Sequence, residues 1–78
     1  MLTLTEREAV DVFVTHAYEF IKVCADWTKT INDIKRANRT YTDALITVRR
    51  IAPTQNDAFS ALYELTRVFY NSRMDGRN

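Results

Sequence analysis

The sequence predicts an all-α protein, a helical hairpin that assembles into an oligomeric helical bundle. Apolar residues follow a 3-4-3-4 spacing from Val10 to Ala52, and only Asn38 is clearly polar among them. A repeat of about 3.5 residues is typical of a helix that packs along its length against other helices. No glycine or proline occurs before Pro53. The 78 residues predict a single domain, 1–78, whose lone monomer would be marginally stable.

The first helix is predicted over residues 6–52. Thr5 is followed three residues later by Glu8, which is the spacing of a capping box. Unbroken, this helix would be about 70 Å long at about 1.5 Å per residue. The apolar spacing keeps its phase across Asn38, which favours one long helix, and a break near residues 38–41 is the alternative. Asn38 is then either a buried residue that fixes the register of the bundle or a solvated residue at the break.

A second, shorter helix is predicted over residues 55–72, folded back on the first. Pro53 ends the first helix, because proline disfavours helical backbone in the residue before it. Thr54 and Asp57 have the spacing of a second capping arrangement. The polar tail, residues 73–78, is expected to fray, and its Gly76 to do no more than end the chain.

Self-association is predicted from the width of the apolar sector. Phe13, Phe20 and Trp27 occupy consecutive d positions of the heptad repeat and are bulky for a two-stranded coiled coil, and the neighbouring e and g positions are apolar too. Both features favour a bundle of several helices, built as a homodimer or homotetramer. The predicted oligomer core comprises Val10, Phe13, Phe20, Trp27, Ile31, Ile34, Leu45, Leu62, Leu65 and Phe69.

No catalytic, cofactor or metal site is predicted, so the protein is expected not to be an enzyme. The single histidine, His16, has no partner at a spacing that forms a catalytic triad. The single cysteine, Cys24, excludes an intrachain disulfide and predicts a packed thiol in a reducing cytoplasm. The most apolar stretch, residues 10–25, contains charged side chains, which argues against a membrane span.

The surface charge is unevenly distributed along the chain. Residues 1–33 hold three basic and six acidic side chains and carry −3, whereas residues 34–78 hold eight basic and four acidic ones and carry +4. Basic residues between positions 35 and 50 would solubilise the helix, contact a protein partner or contact nucleic acid. Because Tyr and Arg are enriched at interaction hot spots, the candidate partner-binding residues are those expected on the outer face. They are Tyr18, Arg36, Arg39 and Arg50.

Three segments resemble small helical proteins of temperate bacteriophages, and among these the short antirepressors. They are residues 4–8 (LTERE), residues 37–45 (ANRTYTDAL) and residues 53–57 (PTQND), which precede a final aromatic helix. The resemblance covers the whole chain in architecture. It implies an oligomer in the bacterial cytoplasm that binds a DNA-binding repressor and prevents it from holding DNA. Two alternatives remain: a small basic helical dimer that binds DNA or RNA, and a virion assembly or chaperone protein.

Overall fold

The structure, a computed structural model, describes residues 3–75 and has three α-helices. Helix α1 spans Leu4–Ala25, α2 spans Ile31–Ile51 and α3 spans Asn56–Asp75, and a short 3-10 turn, Pro53–Gln55, precedes α3. The described residues contain no strand, so the predicted all-α class is confirmed. The longest dimension is 45 Å, well short of the length that one unbroken first helix would need.

The prediction of a single helix over residues 6–52 is wrong, and so is the alternative break near residues 38–41. The break lies at residues 26–30, and α2 is continuous through Asn38. The carboxylate of Asp26 accepts hydrogen bonds from the backbone N–H and the hydroxyl of Thr28, at 3.0 and 2.6 Å. Such local bonds give the backbone an alternative to the helix. Thr30 then begins α2 by a reciprocal capping box with Asp33.

The other predicted helix ends lie within a few residues of the observed ones. Helix α1 begins two residues earlier than predicted, because Thr3 and Glu6, rather than Thr5 and Glu8, form the capping box. The end of the helix before Pro53 is confirmed, since α2 stops at Ile51. Helix α3 begins one residue later and ends three residues later than predicted.

The three helices run up, down and up, so that α1 is antiparallel to α2 and parallel to α3. The parallel register is fixed by contacts along the length of α1 and α3. The Phe13 and Phe59 rings lie 5.3 Å apart near one end, and the Phe20 and Tyr70 rings lie 6.0 Å apart further along. The predicted two-helix hairpin is thereby corrected to a three-helix fold, because the turn at residues 26–30 divides the first helix in two.

Tyr41 of α2 is the centre of the core and contacts both other helices. Its fully buried ring stacks nearly parallel on Phe13 and Phe20, with centroids 5.6 and 5.3 Å away. The hydroxyl of Thr66 in α3 lies 3.0 Å from the Tyr41 hydroxyl and 2.7 Å from the carbonyl oxygen of Tyr63. Since a hydroxyl carries one proton, Thr66 donates to the carbonyl and accepts from Tyr41. Every polar atom brought into the core by this pair is therefore satisfied.

Helix α3 presents a different side to the core from the one its apolar pattern predicts. Its buried residues are Phe59, Thr66 and Arg73, spaced by seven. Leu65 and Phe69, predicted as core, are exposed in the single chain, and Leu62 is partly buried. The rotation is possible because Thr66 and Arg73 find hydrogen-bond partners that no local pattern in the sequence reveals.

Arg73 holds the end of α3 to the end of α1 and is not part of a frayed tail. Its guanidinium is almost completely buried and donates to the carbonyl oxygens of Cys24, Asp26 and Lys29, at 3.4 Å for Cys24 and 2.8 Å for Asp26. It also stacks over the ring of Trp27, 4.8 Å from the centroid. These carbonyls belong to the C-terminal end of α1 and the following turn, where unpaired acceptors and the negative end of the helix dipole favour a cation. The expected fraying is thus wrong for residues 73–75, and Gly76 lies outside the described residues.

Replacing Arg73 is expected to destabilise the fold. Arg73→Met keeps the apolar stem but removes the guanidinium donor of the Cys24 and Lys29 carbonyls, and should lower the free energy of unfolding by about 2 kcal/mol. Arg73→Lys should not restore it, because one ammonium cannot reach the same set of acceptors. Urea denaturation followed by Trp27 fluorescence measures both. The exposed Arg50→Met is the matched control, expected to change stability by less than about 0.5 kcal/mol, and equal losses in the two Met variants would contradict the role of Arg73.

Tyr41 is expected to make stability fall at alkaline pH. Burial raises the pKa of the Tyr41 phenol above its ordinary value. A raised pKa in the folded state means a stabilising contribution that is complete below about pH 10 and is lost as pH rises through the folded pKa. Tyr41→Phe should cost about 1 kcal/mol at neutral pH. Above pH 10, the free energy of unfolding of Tyr41→Phe, measured by urea denaturation, should fall less steeply with pH than that of the wild type. The same pH dependence in both proteins would refute this assignment.

Candidate interaction surfaces

No grouping of side chains in residues 3–75 has the form of a metal or membrane site. No three His, Cys, Asp or Glu residues in this part of the chain lie together in a way that could hold a metal ion. None of the described helices combines the length and apolar character needed to span a bilayer. Cys24 is buried beneath α3, and this burial raises the pKa of its thiol, which disfavours the reactive thiolate. His16 lies on the side of α1 that borders α2.

Three of the four predicted contact residues share one face of α2. Arg36, Arg39 and Arg50 are all exposed, and their spacing places them opposite the buried residues Tyr41 and Val48. From the first to the last of these arginines the helix rises about 21 Å. The other side of α2 packs in the core through buried residues such as Tyr41 and Val48, so the three arginines project from one continuous, packed helix.

An apolar residue and an acidic residue lie within this row. Ile46 is 52% exposed, and Asp43 is exposed between it and Arg39. We call Arg36, Arg39, Asp43, Ile46 and Arg50 together the α2 face. It combines one exposed aliphatic side chain with three guanidinium groups and one carboxylate.

Tyr18, the fourth predicted contact residue, lies on a different surface. It is 63% exposed on α1, with the ammonium of Lys22 5.5 Å from its ring centroid. Tyr18 immediately follows the buried Ala17 in the sequence, and so projects from the side of α1 turned away from α2. The structure therefore does not bring Tyr18 together with the arginines.

The predicted oligomer core divides into buried and exposed residues within the single chain. Phe13, Phe20, Ile34 and Leu45 are buried. Val10, Ile31 and Leu62 are partly buried against them. Trp27, Leu65 and Phe69 are exposed, Trp27 because it lies in the turn after α1 rather than in a helix. Whether an oligomer covers the exposed members stays a prediction.

An open groove runs between α1 and α2 on the side away from α3. Its larger part has a volume of about 470 Å³ and is lined by both helices, with Val12 and Ala44 on its walls and His16 at its end. Glu8 and Asp43 add carboxylates to the rim. The lining mixes small apolar, hydroxyl and acidic side chains, and no positive charge borders this part of the groove.

Asn38 is inside α2 and not at a helix break. It is partly buried, and its side-chain oxygen Oδ1 is buried without a hydrogen-bond partner. The interpretation of Asn38 as a solvated residue is therefore wrong. Its proposed role in fixing the register of an oligomer stays a prediction.

Three polar residues of α3 that form hydrogen bonds within the fold were not predicted from the sequence. Besides Thr66 and Arg73, Arg67 donates from Nε and from a terminal nitrogen to the Tyr63 hydroxyl, at 2.8 and 2.7 Å. Its guanidinium also lies over the rings of Tyr63 and Tyr70. A signal existed, since Tyr63, Arg67 and Tyr70 have the i, i+4, i+7 spacing of one helix face.

Comparison with known proteins adds no relative: no family model, no curated protein and no solved structure matches the chain. The resemblance to phage antirepressors therefore remains a prediction that rests on the three segments named above. Function has to be inferred from the surfaces of the three helices.

Removing the unpaired amide of Asn38 is expected to stabilise the protein. Asn38→Leu replaces a buried acceptor that has no partner with an apolar group of similar size, and should raise the free energy of unfolding by about 1 kcal/mol. Asn32→Leu, at an exposed position of the same helix, is the control and should have a smaller effect. Urea denaturation measures both. A loss of stability in Asn38→Leu would mean that the amide has a partner, such as a second chain.

Proposed function

We propose that this chain is a non-enzymatic protein that binds and inactivates another protein through the α2 face. The target class that the resemblance favours is a DNA-binding repressor, which makes the chain an antirepressor. The observation that carries the proposal is the row of three exposed arginines around the exposed Ile46 on one rigid helix.

The chemistry of the α2 face favours an acidic protein surface as the target. Arg36, Arg39 and Arg50 can each form paired hydrogen bonds with a carboxylate. Burial of Ile46 adds a hydrophobic contact that non-specific charge attraction lacks. Truncating the central apolar residue of such a patch typically costs more than truncating a residue on its rim.

Direct binding of DNA or RNA by the same basic row is the second candidate. The length of the row, about 21 Å, would span several phosphates of a duplex. Asp43 argues against this, because its carboxylate stands among the arginines and a phosphate backbone carries negative charge continuously, whereas the separate carboxylates of a protein can pair with the arginines and avoid Asp43. An aliphatic side chain at the middle of the face has no partner on a phosphate backbone either, and both features fit a protein partner better.

Charge reversal on the α2 face is expected to abolish capture of the target. The full chain, immobilised and exposed to lysate of its native host, should retain a DNA-binding protein identified by mass spectrometry. Arg39→Glu/Arg50→Glu should lose it, since two favourable contacts become repulsive. The purified target should then release its operator DNA in a gel shift when wild-type chain is added, and not when the double variant is added.

The matched control reverses two exposed basic residues away from the α2 face. Arg7→Glu/Lys22→Glu, with both changes on α1, alters the net charge by the same amount and should keep the target. Loss of capture in both variants would indicate non-specific charge attraction and end the proposal. If the chain alone shifts duplex DNA, and the affinity falls with salt with a log–log slope near −0.9 per phosphate contact, the nucleic-acid candidate replaces it.

A further inference from the structure

The outer sides of α1 and α3 together form a largely apolar surface, with the exposed Lys22 at its edge beside Tyr18. On α1, Val14, Tyr18 and Ile21 each follow a buried residue by one position, which places them on the side of the helix away from the α1/α2 groove. On α3, Leu65 and Phe69 each precede a residue that packs inward. The opposite side of α3 is turned to α2, where Arg49 donates to Ser60.

The parallel register of α1 and α3 makes these two rows one continuous surface. Cys24 and Arg73 are neighbours at one end, as Phe13 and Phe59 are at the other, so Tyr18 lies level with the middle of α3. We call the exposed members of this surface the α1/α3 strip. It comprises Val14, Tyr18, Leu65, Val68 and Phe69.

The strip is large for a protein of this size. The exposures of its five side chains correspond to roughly 500 Å² of apolar surface, near the upper end of the largest patches on ordinary monomers. With partly buried neighbours such as Leu62, it reaches about 600 Å² per partner, which is the lower limit for a specific interface. A 78-residue chain that leaves this much apolar area in water lacks much of the burial that stabilises small domains.

We propose that the α1/α3 strip is the contact surface of a homodimer, in which a second copy packs its own strip across a two-fold axis. A two-fold contact requires a surface that complements itself. The five apolar side chains of the strip can meet their copies while the long Lys22 side chain keeps its ammonium in water at the edge. In this dimer, α1 and α3 of one copy pack on α1 and α3 of the other. These helices are then covered on one side by the core of their own chain and on the other side by the second copy.

Tyr18 and Leu65 occupy the centre of this dimer contact. They lie midway along the strip, so the two-fold axis passes close to them, and central aromatic and aliphatic residues contribute most to an interface. Lys22 lies over the Tyr18 ring and restricts it before association, which lowers the entropy lost on binding. The dimer leaves the α2 face free, so this inference does not depend on the proposed function.

Light scattering after size-exclusion chromatography tests the dimer. At about 100 μM the full chain should have twice its mass of 9.1 kDa, which requires a dimer Kd in the low micromolar range or tighter. Leu65→Glu should reduce the mass to 9.1 kDa, since two carboxylates would meet near the axis, and should raise the dimer Kd by at least about 30-fold. Val68→Glu, at a 64% exposed position, provides a second test if Leu65→Glu fails to fold by circular dichroism.

Ile46→Glu is the matched control, because Ile46 is 52% exposed and Leu65 is 49% exposed. It should remain a dimer while losing capture through the α2 face. A wild-type mass of 9.1 kDa over the whole concentration range would overturn the dimer. The strip would then have to bind another protein or a lipid surface instead. A dimer that survives both Leu65→Glu and Val68→Glu would overturn it as well, since the contact would lie elsewhere. Neither of these mass measurements tests target capture, which is a separate experiment.

Discussion

The stacking of Tyr41 between Phe13 and Phe20 is the interaction on which the rest of the fold depends. A tyrosine there fills the space between all three helices and brings one hydroxyl into the core, and that hydroxyl selects Thr66 of α3 as its partner. An apolar residue at position 66 would leave the Tyr41 hydroxyl without a partner. The orientation of α3 is therefore decided by a polar contact at its midpoint, with ring packing on both sides of it.

A second polar contact fixes α3 at its far end. Arg73 reaches carbonyl oxygens at the end of α1 and in the following turn, and it can do so only if the same side of α3 faces inward as Thr66 requires. Thr66 and Arg73 are seven residues apart, which is close to two helical turns. The two contacts thus impose one rotation on α3, and the turn at residues 26–30 is held in place by the same guanidinium that anchors the helix.

Local signals in the sequence were sufficient for the helices and insufficient for their packing. Pro53 and the capping patterns mark helix ends through bonds between residues three or four apart, and Thr30 with Asp33 carries the same signal at the break that was missed. The rotation of α3 depends on Arg73 and acceptors 44–49 positions away, which no periodicity encodes. Among the candidate site residues, the exposure of the three arginines could be predicted from helix periodicity. The separation of Tyr18 from them could not, because it depends on the turn at residues 26–30, which places Tyr18 on α1 and the arginines on α2.

The rotation of α3 also explains why the chain has two separate surfaces. If Leu65 and Phe69 had packed inward, as their spacing alone favours, the polar side of α3 would face water and the chain would have no apolar strip. Because Thr66 and Arg73 take the inner positions, Leu65, Val68 and Phe69 are exposed, on the helix that packs parallel to the one that carries Tyr18. Such an exposed strip would be a liability for a protein that remained alone. Since the strip and the α2 face lie on different helices, the proposed dimer leaves the α2 face uncovered and presents two copies of it, which would increase the avidity for a target with two binding sites.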